Sequence, residues 1–237
     1  MRITAAGLVL VLCCPLLPAA ETPTEPQFEP TSNYTRQAIR GWTVYVNHRL
    51  LGDKKDLGDK ALELLDVKLY DINRAVPPAA REKLQQVPIW LEFAHPRHPC
   101  ACYHPSKKWL EKNAFNPEKA RSVEISNAAT FLNWTHQQPS MVLHELAHGY
   151  HDRLPGGYGN PEIAAAYRRA MEQKLYDSVM HCCSKSVRAY AANNPQEYFA
   201  ELTEAWFGAN DFYPFVRAEV LKHDPEGAEL LKKFWGK

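Results

Sequence analysis

The sequence predicts an α+β fold in one compact domain. Predicted strands and helices alternate over the first half of the chain, whereas the second half is almost entirely helical, and this order favours an α+β architecture. The chain has 237 residues, 45% hydrophobic content and a formal net charge of +1. It can therefore bury a sizeable core and lacks the composition of a disordered protein. With neither a basic excess nor an acidic block, its charge does not indicate nucleic acid as a partner.

The N-terminus is predicted to be an export signal. Arg2 is followed by an apolar stretch over residues 3–17 and by small residues at 18–20, which is the pattern of a secretory signal peptide at residues 1–20. A membrane anchor is the alternative, but the run falls short of the roughly 20 apolar residues that a spanning helix needs. Prolines among polar residues then predict an extended leader over residues 21–37. We expect a folded domain at residues 38–237, exported and without stable membrane insertion once the signal is removed.

The first half of the chain alternates strands and helices. Apolar residues near helical spacing predict a helix over residues 56–74, which Pro77 and Pro78 break before a shorter helix starts. Residues 95–105 are dense in proline, histidine and cysteine, which predicts an irregular loop. Strands are predicted over residues 41–51, 87–93 and 121–126.

The second half is predicted to be helical. A proline stands at the start of each predicted helix, where its fixed φ suits the first turn. Helices are predicted over residues 139–152, 161–180 and 195–207, followed by a short amphipathic helix from residue 225 to near residue 235.

Four cysteines follow the predicted signal: Cys100, Cys102, Cys182 and Cys183. In an oxidising compartment we expect disulfides that join the first pair to the second pair, in one of two connectivities. The rival interpretation is a second metal site, although Cys-x-Cys is a poor match to the usual Cys-x-x-Cys spacing. That site would combine these thiols with His95, His98 and His104.

One predicted helix carries the H-E-x-x-H pattern, with its histidines at positions 144 and 148. With about 3.6 residues per turn, His144 and His148 lie on one face, so both imidazoles can reach one metal ion. Glu145 projects from the flank of that face, where it can act as the base on water. A surface helix with two solvated histidines is the alternative, but the neighbouring residues are apolar, and buried histidines need partners.

A catalytic zinc ion takes three protein ligands and keeps one position open for water. One known solution needs a glycine and a histidine three and six residues after the second histidine, where this chain has His151 and Leu154. His151 and Asp152 follow the motif on the same helix, and either could contact the residues around the metal, but a solvated or capping role is favoured.

Glutamates on the helix predicted over residues 195–207 supply a different solution. Glu197 and Glu201 share one face at i and i+4, so one can ligate zinc while the other receives the N–H of a ligand histidine. Two exposed acids are the alternative for such a pair. The apolar residues around them and the two histidines favour ligation.

Residues 144–152 and 190–201 together resemble the glutamate-type zinc peptidases, and within them the catalytic domains of the anthrax lethal-factor type. The matching residues are His-Glu-Leu-Ala-His followed by Asp152, and Tyr-Ala-Ala-Asn-Asn-Pro-Gln-Glu-Tyr-Phe-Ala-Glu. The resemblance implies zinc ligation by Glu197, support from Glu201 and oxyanion stabilisation by Tyr190. It also implies a zincin-like domain, with a small mixed sheet over the active-site helix and a mainly helical C-terminal half. The chain lacks any recognisable cell-entry or exosite domain, so the toxin's substrate does not transfer.

Together these patterns predict a secreted or otherwise exported endopeptidase that acts on a peptide or protein. One zinc ion per chain is expected, held by His144, His148 and Glu197. Residues 121–127 are the predicted edge strand for pairing with an extended peptide. Two other functions stay open: a zinc-binding interaction module without turnover, which would have no use for Glu145, and a metal hydrolase of a non-peptide amide.

Overall fold

The computed structural model describes residues 28–95, 98 and 100–236, and its architecture is α+β with mostly helical content. The predicted signal peptide and the first part of the predicted leader lie outside these residues. The strands are β1 (Tyr34–Ile39), β2 (Trp42–Asn47), β3 (Ile89–Leu91), β4 (Ala101–Tyr103), β5 (Val123–Ile125), β6 (Val179–His181) and β7 (Ser184–Val187). The helices are α1 (His48–Leu51), α2 (Lys55–Ala75), α3 (Pro78–Leu84), α4 (Lys107–Lys112), α5 (Ala128–Trp134), α6 (Met141–Asp152), α7 (Pro161–Glu172), α8 (Pro195–Phe207), α9 (Arg217–His223) and α10 (Pro225–Trp235). Within the described part of the chain, no helix has the length and apolar character needed to cross a membrane.

Five strands form a mixed sheet in the order β1-β2-β3-β5-β4. The three inner strands are parallel, and the outer strands β1 and β4 are antiparallel to their neighbours. Every residue of β3 and β5 is buried, as expected for parallel strands that are covered on both faces. The predicted α+β class is therefore confirmed.

The structure corrects the predicted edge strand. The segment predicted as the edge, residues 121–127, contains β5, which lies between β3 and β4. The edge on this side is β4, which forms inside the predicted loop at residues 95–105. β1 likewise includes residues from the predicted leader, since it begins at Tyr34 and pairs with β2. Short strands of this kind depend on partners elsewhere in the chain, which local composition does not reveal.

Helix α6 lies between the sheet and α8, and all its residues from Met141 to His151 are buried. A side chain at Gly149 would come within 3.0–3.1 Å of Val87 and Tyr103, so the glycine allows α6 to approach the sheet closely. On the far side, the Trp235 ring stacks on Tyr150 of α6, with ring centroids 4.1 Å apart, and on Phe199 of α8 at 5.8 Å. Helix α10 thus holds α6 and α8 together.

The structure also corrects the predicted disulfides, because the four described cysteines are free thiols. The Sγ atom of Cys102 lies 3.5 Å from His104 Nε2, at the end of β4. Cys182 and Cys183 instead adjoin each other in the turn between β6 and β7, with Sγ atoms 3.2 Å apart. Among the described residues, the two pairs are therefore not joined by a disulfide.

His151 is not solvated as expected, whereas Asp152 is partly exposed. His151 is fully buried against Tyr158 and Phe199, and neither of its ring nitrogens has a hydrogen-bond partner among the described residues. Burial, reinforced by nearby His148, lowers the pKa of His151 to about 4. Asp152 accepts a hydrogen bond from the Tyr103 hydroxyl at 2.8 Å and so ties the end of α6 to the edge strand.

Replacing His151 with leucine should reduce the acid sensitivity of the fold. Its folded-state pKa of about 4 lies below the ordinary value of 6.5. The unfolded chain therefore binds more protons between these values, and stability that is complete above about pH 6.5 is lost as the pH falls towards about 4. The shift corresponds to about 3 kcal/mol. Urea unfolding should show a free-energy difference between about pH 7 and about pH 4 that is smaller by roughly this amount in His151→Leu.

The matched control is His136→Leu, at an exposed histidine of the same chain. This variant should reproduce the pH dependence of the wild type. If His151→Leu does so as well, the buried imidazole is not the source of the acid sensitivity.

Candidate metal centre

Two packed helices carry the predicted metal ligands. His144 and His148 lie one turn apart on α6, and Glu197 lies in the first turn of α8. The side chain of Asn194 caps α8 by accepting a hydrogen bond from the Glu197 backbone N–H at 2.9 Å. This cap fixes the start of α8 and with it the point from which the Glu197 side chain projects.

The three predicted ligand atoms form a nearly equilateral triangle. Glu197 Oε2 lies 3.1 Å from His144 Nε2 and 3.2 Å from His148 Nε2, and the two Nε2 atoms are 3.1 Å apart. The two histidine side chains are about nine-tenths buried, and Glu197 is slightly more exposed. The predicted residues are therefore brought together with their ligand atoms converging on one point.

Behind this triangle, the second carboxylate that holds His144 is Glu204. Glu204 Oε1 lies 2.6 Å from His144 Nδ1, whereas Glu201 Oε1 is 3.7 Å from the same nitrogen. Glu201 instead accepts a hydrogen bond from Asn210 Nδ2 at 3.2 Å. The hydrogen bond to His144 Nδ1, which was expected from Glu201, is therefore made by Glu204 in this structure. A proton on Nδ1 that is donated to Glu204 leaves Nε2, the nitrogen that faces Glu197 and His148, as the His144 atom that can bind a metal ion.

The contact between Glu204 and His144 was not predicted, although the spacing of the glutamates along α8 indicates it. Residues 197, 201 and 204 follow i, i+4, i+7 spacing, which keeps all three on one face of α8. In the His144 ring, Nδ1 and Nε2 point in different directions, so the carboxylate that contacts Nδ1 comes from farther along α8 than Glu197, which faces Nε2.

The Nδ1 atom of His148 is also buried, and it has no hydrogen-bond partner within the described part of the chain.

The centre concentrates buried charge. Burial opposes the negative charge on Glu197, but hydrogen bonds from His144 and His148 hold the pKa of its carboxyl well below the usual range. Burial also opposes a positive charge on His144, yet hydrogen bonds to Glu197 and Glu204 raise its pKa. Burial and the adjacent Glu204 carboxylate raise the pKa of Glu201. Glu197 is thus an anion next to histidine nitrogens, which is the ligand chemistry that suits zinc.

The triangle opens into a cleft of about 680 Å³. Glu145 lines this cleft next to the two histidines, as the motif predicts. Tyr190 lines it as well, with its ring centroid 6.3 Å from that of His144. Burial and the Glu197 carboxylate raise the pKa of Tyr190, so its hydroxyl keeps the proton that a hydrogen-bond donor needs. The structure therefore places both predicted catalytic side chains in the same cleft as the ligands.

Two further groups of metal-ligand side chains occur among the described residues. One comprises His144, Glu201 and Glu204 and shares His144 with the triangle. The other comprises Cys102, His104 and Glu124 and lies on β4 and β5.

Comparison with known proteins supports a peptidase. Residues 119–231 match the family model described as Glucose-regulated metallo-peptidase M90. No curated protein and no solved structure gave a match. The narrower resemblance to the lethal-factor type is not part of this family match. The matched segment includes the whole of α6 and α8, so it contains the complete candidate metal centre and supports a metal-dependent peptidase that acts on protein or peptide.

Proposed function

We propose that this protein is an exported zinc-dependent endopeptidase with a zincin-like arrangement, whose metal is held by His144, His148 and Glu197. The observation that carries this proposal is the triangle of ligand atoms with sides of 3.1–3.2 Å. Tetrahedral zinc with nitrogen and oxygen ligands at about 2.0–2.1 Å needs those ligands about 3.3 Å apart. The residues present therefore fit the ion with small movements.

The side chains of the cleft fit the roles that peptide hydrolysis requires. When bound, zinc supplies Lewis acidity, which makes water a nucleophile near neutral pH and polarises the substrate carbonyl. The Glu145 carboxylate takes the proton of the attacking water and passes it to the leaving amine nitrogen. The Tyr190 hydroxyl donates a hydrogen bond to the oxyanion that develops on the carbonyl. Glu204 holds His144 in the tautomer and orientation that ligation needs.

The edge strand supports an extended peptide as the substrate. β4 lies at the open edge of the sheet, and its residues Ala101, Cys102 and Tyr103 line the cleft. An edge strand offers unpaired backbone N–H and C=O groups, which can bind a peptide as an additional strand. We therefore assign to β4 the role that the sequence suggested for residues 121–127. His181 and Phe212 line the cleft as well and would contact the substrate side chains.

Export rests on the signal-peptide pattern at residues 1–20. In this proposal the mature protein consists of the leader and the catalytic domain that follows it. The sheet already begins at Tyr34, so the part of the leader that is not needed for folding ends before this residue.

Variants of the three glutamates on α8 should separate ligation from support. Glu197→Ala should lose stoichiometric zinc and activity together, because only two protein ligands remain. Glu204→Gln should weaken zinc affinity or activity by about 10- to 100-fold, since it removes the charge that holds His144 Nδ1. Glu201→Gln, at 3.7 Å from that nitrogen, serves as the matched control and should have a smaller effect.

Zinc content measured together with peptide cleavage distinguishes these roles. Full zinc retention by Glu197→Ala would contradict the ligand assignment, and a larger loss for Glu201→Gln than for Glu204→Gln would contradict the assigned support.

Variants of the two cleft residues should leave zinc in place and lower turnover. Glu145→Gln should abolish cleavage of a peptide library, because the amide cannot take up the proton. Tyr190→Phe should lower kcat by about 100-fold, since it removes one donor to the oxyanion. Tyr70 on α2 is as exposed as Tyr190, at 45% against 46%, so Tyr70→Phe is the control and should retain wild-type turnover.

The same assay tests the open alternatives. A wild-type protein that binds zinc but cleaves the library no better than Glu145→Gln would contradict the endopeptidase. It would favour a zinc-binding module or a hydrolase of another amide.

A further inference from the structure

Cys102, His104 and Glu124 converge outside the proposed catalytic centre, on the face of the sheet that also carries Trp90. Cys102 on β4 lies directly opposite Glu124 on β5 in the antiparallel register, and Glu124 in turn pairs with Trp90 on β3. His104 follows Cys102 by two residues, so in an extended chain its side chain points to the same face. The Nε2 atom of His104 lies 3.5 Å from Cys102 Sγ and 2.7 Å from Glu124 Oε2.

We propose that Cys102, His104 and Glu124 form a second metal site, which takes a zinc-type divalent ion and ties the edge strand β4 to β5. Thiolate, imidazole and carboxylate are all zinc ligands, and their ligand atoms here lie within 4.8 Å of one another. Tetrahedral zinc, with sulfur at about 2.3 Å and nitrogen at about 2.0 Å, places these two atoms about 3.5 Å apart. The distance between Cys102 Sγ and His104 Nε2 already has this value. The distance between His104 and Glu124 is that of a hydrogen bond and lengthens by about 0.5 Å when an ion replaces the shared proton.

The buried carboxylate of Glu124 is incompletely satisfied by protein groups. Glu124 is fully buried, and its Oε1 atom has no hydrogen-bond partner among the residues that the structure describes. Buried carboxylate oxygens without a partner are uncommon because their desolvation is costly. A carboxylate can bind a divalent ion through one or both oxygens, so a bound ion supplies the missing interaction.

The charges around this site balance when a divalent ion is present. The ion contributes +2, and the Cys102 thiolate and the Glu124 carboxylate contribute −1 each. Lys119, whose Nζ atom lies 3.3 Å from Glu124 Oε2, is paired with the buried Glu92. The ion with its two anionic ligands has a net charge of zero, and so has the pair of Lys119 and Glu92. Binding of the ion therefore adds no uncompensated charge to the interior. Cys102 also lines the cleft, which gives an ion a route to the site.

This site differs from both of the cysteine arrangements suggested by the sequence. It uses one of the four cysteines and one of the three histidines of the Cys/His interpretation, and its third ligand is a glutamate that follows 20 residues after His104. Occupation of both sites raises the expected zinc content from one ion per chain to two. The catalytic ligand set contains no sulfur, so the two sites are distinguishable spectroscopically.

Cobalt substitution tests the site directly. The full-length protein, kept reduced, should develop a near-ultraviolet charge-transfer band from thiolate to Co²⁺ on titration with that ion. The band should persist in Glu197→Ala, which lacks the catalytic ligand, and in the Cys182→Ser/Cys183→Ser double variant. It should disappear in Cys102→Ser. No band in the wild type, or a band that survives Cys102→Ser, would overturn the proposal, whereas failure of the peptidase assay would leave it intact.

A second measurement avoids substitutions at the site itself. In the Glu197→Ala background, excess Zn²⁺ should slow alkylation of Cys102 at least about tenfold, as expected when a metal-bound thiolate is withdrawn from reaction. Peptide mass spectrometry resolves each cysteine, and the exposed Cys182 and Cys183 serve as internal controls. Equal alkylation of Cys102 with and without Zn²⁺ would show that the thiol does not bind the ion and would contradict the second site.

Discussion

The packing of α6 against α8 is the contact on which the rest of the site depends. It brings two imidazole nitrogens and one carboxylate oxygen within 3.1–3.2 Å of one another, a separation at which their lone pairs repel unless a proton or a metal ion lies between them. The surrounding fold holds the two helices in place. Gly149 allows α6 to approach the sheet, Asn194 fixes the start of α8, and Trp235 packs on both helices from the opposite side. The proposed metal ligands thus lie on packed helices rather than on loops, which limits how far they can move apart.

The three acids on α8 contact different atoms of the candidate metal centre. Glu197 faces the Nε2 atoms of both histidines, and two turns later Glu204 faces Nδ1 of His144. Glu201, between them, is buried with a raised pKa and is hydrogen-bonded to Asn210. The raised pKa of Glu201 favours its neutral form, which limits the negative charge that the interior must accommodate beside Glu197 and Glu204.

Strand β4 connects the cleft to the buried polar interior of the sheet. Because side chains alternate along a strand, Tyr103 points towards α6 and donates to Asp152, whereas Cys102 and His104 lie with Glu124 on the other face. The same three-residue strand therefore lines the proposed substrate cleft and contributes to the Cys102, His104 and Glu124 site. An ion at that site would stiffen the edge to which a peptide is proposed to pair, since an edge strand has a hydrogen-bonded neighbour on only one side.

The sequence by itself determined the α+β class, the helices α2, α6 and α8, and the residues of the proposed metal motif. These features are local, since helical periodicity, proline at helix starts and the i, i+4 spacing of His144 and His148 depend only on neighbours along one helix. The bounds of α8 agree with prediction for the same reason. The sequence did not determine the end of α7, which was predicted to continue to residue 180 but ends at Glu172, before strand β6. Tertiary structure alone decided what depends on distant partners. It placed β5 inside the sheet and β4 at its edge, kept the two cysteine pairs apart, and buried His151 among aromatic rings. It also placed Glu204, rather than Glu201, within hydrogen-bond distance of His144 Nδ1, and it placed Glu124 opposite Cys102. These contacts depend on how helices cross and on strand register. Both are determined by packing across the whole domain and cannot be read from a local segment of the sequence.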